Sequence, residues 1–203
     1  METLINYKLI DFIQIQDETI IQDYLVFLEL LRPLKVISNP IYKWYKRNTK
    51  TLQIKAIKDL SFGDVTVIRN NFNEASIASI IESVKMVVDL TDKQILNLTI
   101  LEFYGIINYM KSELTDITNM EINELTDDSF DINIETVNAK ERMGKFGVLN
   151  TIDSLAKEDI LRWSQIEKLP YMTVFTKLRM DNEKNKIQQE IAELQRKKQK
   201  QNV

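Results

Sequence analysis

The carboxylates of residues 113–135 are the densest group of side chains that could do chemistry. This run contains eight acidic residues and no basic one. A calcium loop of the EF-hand type needs alternating acidic ligands, a glycine at its turn and a glutamate at its twelfth position. The stretch TDDSFD lacks the glycine and the spacing. We therefore interpret the run as a solvated acidic face and expect no bound metal.

Two side-chain types that carry much of enzyme chemistry are missing. The chain has no histidine and no cysteine. Their absence excludes a Ser-His-Asp triad, a thiol nucleophile, disulfide bonds and the usual zinc sites. The chain also contains neither GxGxxG nor GxxxxGK[ST], the motifs that bind nucleotide phosphates. We expect a protein that is not an enzyme and uses no cofactor.

Two basic clusters could contact nucleic acid. In KWYKRNTK, aromatic and basic residues alternate, which suits base stacking and phosphate contact. The second cluster lies in RKKQK, near the C-terminus. The net charge of −3 nevertheless disfavours general nucleic-acid binding, and an exposed loop is the favoured interpretation of the first cluster. The candidate contacts are Lys43, Lys46, Arg47, Arg196, Lys197 and Lys198.

Apolar spacing predicts the elements that must position these groups. Residues 7–15 and 51–57 are candidate strands of a small hairpin or two-stranded sheet. Between them, Asp17 is a candidate N-cap for a helix that ends before Pro33. Residues 33–50 contain two prolines and predict a loop or a short extended segment. The apolar positions of the predicted helix are Ile20, Ile21, Tyr24, Leu25, Leu28 and Leu31.

The middle of the chain predicts a helical core. Ser61 is expected to cap a short helix, and residues 77–88 place their apolar side chains on one helix face. Thr91 and Gln94 form a capping-box pattern before a helix over residues 95–114. This helix is apolar on nearly all sides, which is typical of a central helix.

Gly105 lies inside the predicted central helix. Glycine there costs about 1 kcal/mol relative to alanine, and we expect it to allow close approach of a neighbouring helix, with a pocket floor as the alternative. A short amphipathic helix is predicted at residues 117–125. Another is predicted over about 137–157, which two internal glycines can interrupt. A short helix, EDILRWSQIEK, follows, with Ile160, Leu161 and Trp163 as its apolar anchors.

The C-terminal segment is predicted to be an extended helix. Pro170 suits its first turn. After Met180 the apolar density falls, and only three residues remain, spaced four and three apart. This narrow stripe is typical of a coiled-coil seam or of a helix in a partner's groove. We favour a solvated helix that docks partly on a partner, ahead of nucleic-acid contact. The predicted partner-binding residues are Trp163, Tyr171, Phe175, Ile187, Ile191 and Leu194.

These elements predict a mainly α fold: a helical bundle-like domain with a small N-terminal β element and an extended C-terminal helix. Residues 1–60 form an N-terminal helix and β-hairpin, residues 61–169 a helical core, and residues 170–203 the C-terminal helix and charged tail. No apolar run reaches the roughly 18 to 20 residues of a membrane helix, and no secretory signal pattern opens the chain. We expect a protein of the cytosol or of a particle.

The stretch MGKFGVLNTIDSLAKEDILRWSQIEKLPYMTVFTKLRMDNEKNKIQQEI resembles tailed-phage proteins in which a helical domain ends in an aromatic LPY turn and a charged helical tail. It is similar to phage tail assembly chaperones, small acidic helical proteins that hold the tape-measure protein during tail growth. The resemblance lies in the last sixty or so residues, through Trp163, Leu169, Pro170, Tyr171 and the tail. It implies tape-measure or tail-tube proteins as partners and no catalysis. The expected location is the host cytoplasm, with the virion as the alternative.

Three non-enzymatic functions therefore stay open, beside an enzyme to which no residues can be assigned. The first is a non-enzymatic, protein-binding role in phage tail assembly, in which apolar helix faces hold a partner. The second is a permanent virion subunit, such as a connector, ring or baseplate component, which forms a homo-oligomer or a hetero-complex. The third is a nucleic-acid-associated protein that uses the two basic clusters.

Overall fold

The computed structural model describes residues 7–38, 51–126 and 138–201. Over these residues the protein is mainly α-helical with a small two-stranded sheet, as predicted. The chain divides into two compact units. The first comprises Met1–Leu60 and Asp64–Ile117, and the second comprises Ser61–Gly63 and Thr118–Val203. The predicted boundary between residues 169 and 170 thus falls inside the second unit.

Helices predominate along the described ranges, and short 3-10 turns lie at Ile57–Asp59 and Ile160–Arg162. In chain order, the helices and strands are α1 (Leu9–Ile13), α2 (Glu18–Glu29), β1 (Val36–Ser38), β2 (Thr51–Gln53), α3 (Phe62–Glu74), α4 (Ile77–Val87), α5 (Asp92–Leu96), α6 (Ile100–Leu125), α7 (Ala139–Gly144), α8 (Val148–Ala156), α9 (Trp163–Glu167) and α10 (Tyr171–Gln201).

The sheet pairs β1 and β2 in antiparallel orientation, with Ile37 opposite Leu52. The strand predicted at residues 7–15 is wrong, because this stretch forms α1 instead. Leu9 and Phe12 are both buried, and their separation of three positions places them on one face of a helix. The strand within the predicted stretch 51–57 is confirmed as β2, and its pairing partner is β1.

Side-chain caps mark where three helices of the first unit begin. Asp17 caps α2 as predicted, since its Oδ1 accepts a hydrogen bond from the backbone N–H of Thr19 at 3.0 Å. Thr91 and Gln94 form the predicted capping box, but it serves only the short helix α5. A second pair starts α6: the Thr99 N–H donates to Glu102 Oε2 at 3.0 Å.

The helix predicted after Thr91 is therefore two helices, α5 and α6. In turn, α6 runs on through residues 117–125, which were predicted to form a separate helix. No glycine or proline lies between Ile106 and Leu125 to interrupt it. The first half of α6 is buried on most sides, as its apolar pattern predicted.

Gly105 on α6 permits a close approach, but the neighbour is Leu34, in the segment between α2 and β1, rather than a helix. The backbone N–H of Leu34 donates to the Gly105 carbonyl oxygen at 2.9 Å. A Cβ atom at position 105 would overlap Leu34 Cδ1. Leu34 thus occupies the space that a side chain at position 105 would need.

The second unit contains two further departures from the expected elements. The helix predicted over 137–157 is interrupted between α7 and α8, where Gly147 has a φ of +51° that favours glycine. Ile160 and Leu161 were predicted as anchors, but both are exposed. They lie in a 3-10 turn, and Asp159 Oδ1 accepts a hydrogen bond from the Leu161 N–H at 3.0 Å.

Candidate protein-interaction surface

The first turns of α10 are fixed within the second unit by aromatic packing. Tyr171 stacks with Phe62 and with Phe175, at ring-centroid distances of 6.4 Å in each case. The Tyr171 hydroxyl donates to Glu121 Oε1 at 2.7 Å. The backbone N–H of Phe62 donates to the Leu169 carbonyl oxygen at 2.8 Å, which holds the residues before the helix.

This packing corrects the predicted partner-binding set. Tyr171 and Phe175 are buried, so these two side chains belong to the core of their unit and are not available to a partner. Trp163 is half-buried, and its Nε1–H donates to Asp153 Oδ1 at 3.1 Å. The indole is thus held in one orientation with part of its surface exposed.

Two polar contacts join α10 to Glu124 of α6. Arg179 Nε lies 2.8 Å from Glu124 Oε2, and Asn182 Nδ2 donates to the Glu124 carbonyl oxygen at 3.0 Å. From 183 to 198 every side chain is exposed. We refer to residues 183–201 as the arm. At 1.5 Å per residue, it is about 28 Å long.

Three apolar side chains form a line on the arm. Ile187 is 48% exposed, Ile191 49% and Leu194 57%. We refer to these three residues as the distal stripe. Met180 lies one heptad before Ile187 and is 52% exposed, so it extends the same line toward the start of the helix.

The distal stripe lies on the side of α10 opposite to the side that packs in the second unit. Successive residues of an α-helix are rotated by about 100°. The buried side follows Tyr171, Val174 and Phe175, and Ile191 lies about half a turn from its centre. On the arm, the buried side continues into polar residues such as Asn185. The stripe is therefore not an extension of the contacts that α10 makes within its own unit.

The predicted basic residues of the arm do not share one face. Arg196, Lys197 and Lys198 are all exposed. By the same rotation of about 100° per residue, Lys198 lies in line with the distal stripe, Lys197 lies on its flank, and Arg196 lies about half a turn away from it. The other predicted nucleic-acid contacts, Lys43, Lys46 and Arg47, fall outside the described residues.

A second exposed apolar surface lies at the C-terminal end of α2 and at Leu30, which follows the helix, and it was missed by sequence reasoning. Val26 is 62% exposed, Phe27 58% and Leu30 78%. Ile20, one of the apolar positions of the predicted helix, is also exposed. The stretch LVFLELL is apolar on more than one side of a helix, and such a pattern does not indicate which side is covered. The excess of apolar residues was the available signal.

The described ranges contain neither a membrane-crossing helix nor a metal-binding cluster. No helix within them combines the length and the apolar character that a membrane span requires. Nor do the described carboxylates come together in a group of three that could hold a metal ion. The loop TDDSFD lies almost wholly outside the described residues.

Comparison of the chain with protein-family models, with curated proteins and with solved structures gives no match.

Proposed function

We propose that the protein acts without catalysis, by holding a partner protein on the distal stripe during the assembly of a phage tail. The position of the stripe carries this proposal, because its three apolar side chains face away from the core of their own unit and are about half exposed. The resemblance of the C-terminal sequence to tail assembly chaperones supports the setting in tail assembly.

The arm would gain stability by binding a partner. Each large apolar side chain contributes about 25 cal/mol for every Å² removed from water. An isolated helix of this length is marginally stable in water. A partner helix would therefore stabilise the helical state of the arm and would also remove the side chains of the distal stripe from water. A seam of about two heptads gives modest affinity. Modest affinity suits a protein that holds its partner and later releases it.

A permanent virion subunit is the second candidate. The observation that favours it is the apolar surface of α2, where Val26, Phe27 and Leu30 are more exposed than the distal stripe. Exposed apolar surfaces of this kind mark interaction sites. A protein with two such surfaces on different elements could form the repeated contacts of a ring or connector.

Capture from phage-producing cells tests the proposal. A tagged wild-type chain and a tagged Asn185→Asp variant should capture an identified tape-measure or tail-tube protein. The Ile191→Asp variant should not, because a buried carboxylate in an apolar contact is strongly unfavourable. Asn185→Asp is the matched control, since it adds the same carboxylate on the opposite side of the arm.

Two results would count against the proposal. If the wild-type chain captures no tail or virion protein, the result excludes a role in tail assembly. If Ile191→Asp captures the same protein as wild type, the stripe is not the binding surface. Mass spectrometry of purified particles then separates the two candidates, because an assembly chaperone should be absent from finished particles and a structural subunit present.

A further inference from the structure

Resting on the proposed function, we infer that the arm takes one kind of occupant: an acidic amphipathic helix from a different protein. The inference comes from the charged residues that lie in line with the distal stripe. The proposed function requires only that the distal stripe binds a partner, whereas these charges specify which kind of partner it binds.

Lysines occupy part of the seam itself. Met180, Ile187 and Leu194 are seven residues apart, which places them at one core position of a heptad. The alternate core position is filled in turn by Lys184, Ile191 and Lys198. Both lysines are exposed. A helix that docks on the stripe must therefore also accommodate two ammonium groups.

The net charge of the arm has the same sign as these lysines. Residues 183–201 contain six basic and three acidic residues, a net charge of +3 on a chain whose total is −3. After Glu193 the described arm carries four basic residues and no acidic one. Residues 183–193 carry two basic and three acidic residues, and Glu183 and Glu190 flank the seam there, so the positive charge is concentrated after Glu193. A partner with carboxylates beside its apolar positions would pair with Lys184 and Lys198 and meet an attractive field at the distal end of the arm.

A second copy of the arm is a poor occupant by the same reasoning. In a parallel pair, Lys184 would face Lys184 of the other copy, and Lys198 would face its own counterpart. In an antiparallel pair, the lysines would face apolar residues instead of carboxylates. Either orientation brings together two arms that each carry a net charge of +3, and like charges across an interface oppose association.

Two synthetic helical peptides of about three heptads test this inference on the full-length protein. Both carry leucine at the two core positions. One carries glutamate at the flanking positions and the other carries lysine there. Fluorescence anisotropy should show the acidic peptide binding roughly tenfold or more tighter than the basic one at low salt. The difference should shrink at high salt, since exposed charges are screened.

A matched pair of charge reversals locates the contact. Lys184→Glu and Lys186→Glu change the net charge equally, but Lys184 occupies a core position of the heptad, whereas Lys186 lies about a third of a turn from the centre of the stripe. Lys184→Glu should weaken binding of the acidic peptide by roughly tenfold, as expected for a close charge pair. Lys186→Glu should change it by no more than about twofold. Circular dichroism confirms that each variant folds.

Each outcome decides the inference. If the basic peptide binds as tightly as the acidic one, selection by charge is wrong while docking on the stripe stands. If neither peptide binds, the inference is overturned, and capture from phage-producing cells decides the proposed function separately. If sedimentation shows self-association that Ile191→Asp abolishes, the occupant is a second copy. If Lys184→Glu and Lys186→Glu weaken binding of the acidic peptide equally, Lys184 makes no specific contact with the peptide in the seam.

Discussion

The side-chain amide of Asn108 donates a hydrogen bond to the carbonyl oxygen of Leu28, 3.0 Å away at the end of α2. The same nitrogen lies 2.9 Å from the Leu31 carbonyl oxygen. The last carbonyl groups of a helix have no partner within that helix. A buried asparagine on α6 thus caps α2 from a distance of 80 positions in sequence.

Replacing Asn108 with alanine should therefore destabilise the protein. The change leaves the carbonyl groups at the end of α2 without this donor, and an unsatisfied buried polar group costs about 1 to 3 kcal/mol. Urea unfolding measures the difference. Asn119→Ala, at an exposed position on the same helix, should cost less than about 1 kcal/mol. Equal losses in the two variants would contradict the capping role.

Gly105→Ala should also destabilise the protein, although alanine is the better helix former. The new Cβ atom would overlap Leu34, whose backbone is held by its hydrogen bond to the Gly105 carbonyl oxygen. Overpacking of this kind costs about 1 to 3 kcal/mol, against a gain of about 1 kcal/mol in helix propensity. Thermal and urea unfolding should both show the net loss.

A double-mutant cycle provides the control for this contact. In a Leu34→Ala background the overlap is relieved, so Gly105→Ala should then cost much less or stabilise α6. Gly144→Ala meets no atom within 4 Å and should be neutral or slightly stabilising. If the cost of Gly105→Ala is the same in both backgrounds, Leu34 is not the reason for the glycine.

Two tyrosines on α6 predict a loss of stability in alkaline solution. Burial, and then the Glu29 carboxylate, raises the pKa of Tyr104. Burial, and then the Glu113 and Asp59 carboxylates, raises the pKa of Tyr109. Above the ordinary tyrosine pKa of about 10, the unfolded chain loses these protons while the folded chain keeps them. Ionisation therefore favours the unfolded state as the pH rises.

Urea unfolding at a series of pH values tests this expectation. The contribution of the two tyrosines to the free energy of unfolding is fully present below about pH 10. It is lost as the pH rises toward their raised pKa values in the folded chain. The Tyr104→Phe and Tyr109→Phe variants should lose less stability between about pH 9 and pH 11 than wild type, as phenylalanine has no proton to lose. Identical pH profiles for wild type and both variants would show that these tyrosines are not responsible.

Caps and long apolar patterns could be predicted because they depend on a few neighbouring residues. Asp17 and Thr91 satisfy nearby backbone groups, so their roles follow from short spacings. The break between α5 and α6 had the same kind of signal in Thr99 and Glu102, three positions apart. It was missed because the continuous apolar run suggested one unbroken helix.

Features that depend on distant parts of the chain could not be predicted. In the sequence, Asn108 is only a polar residue within a predicted helix, because its role depends on α2 lying beside it. The exposure of Phe27 and Leu30 depends on which side of α2 is covered by other elements. The distal stripe was found from spacing alone, but its orientation relative to Tyr171 and Phe175 became meaningful only once these two aromatic residues were seen to be buried.

Removal of the arm should leave the remaining fold intact. A chain ending at Asn182 retains the hydrogen bond to the Glu124 carbonyl oxygen and loses only side chains that are exposed in the described part of the arm. Its free energy of unfolding should change by less than about 0.5 kcal/mol, as is usual for exposed positions. Val174→Ala, in the buried part of the same helix, should cost about 1 to 3 kcal/mol. A comparable loss on removal of the arm would mean that the arm packs on the rest of the chain, and the distal stripe would then not be free for a partner.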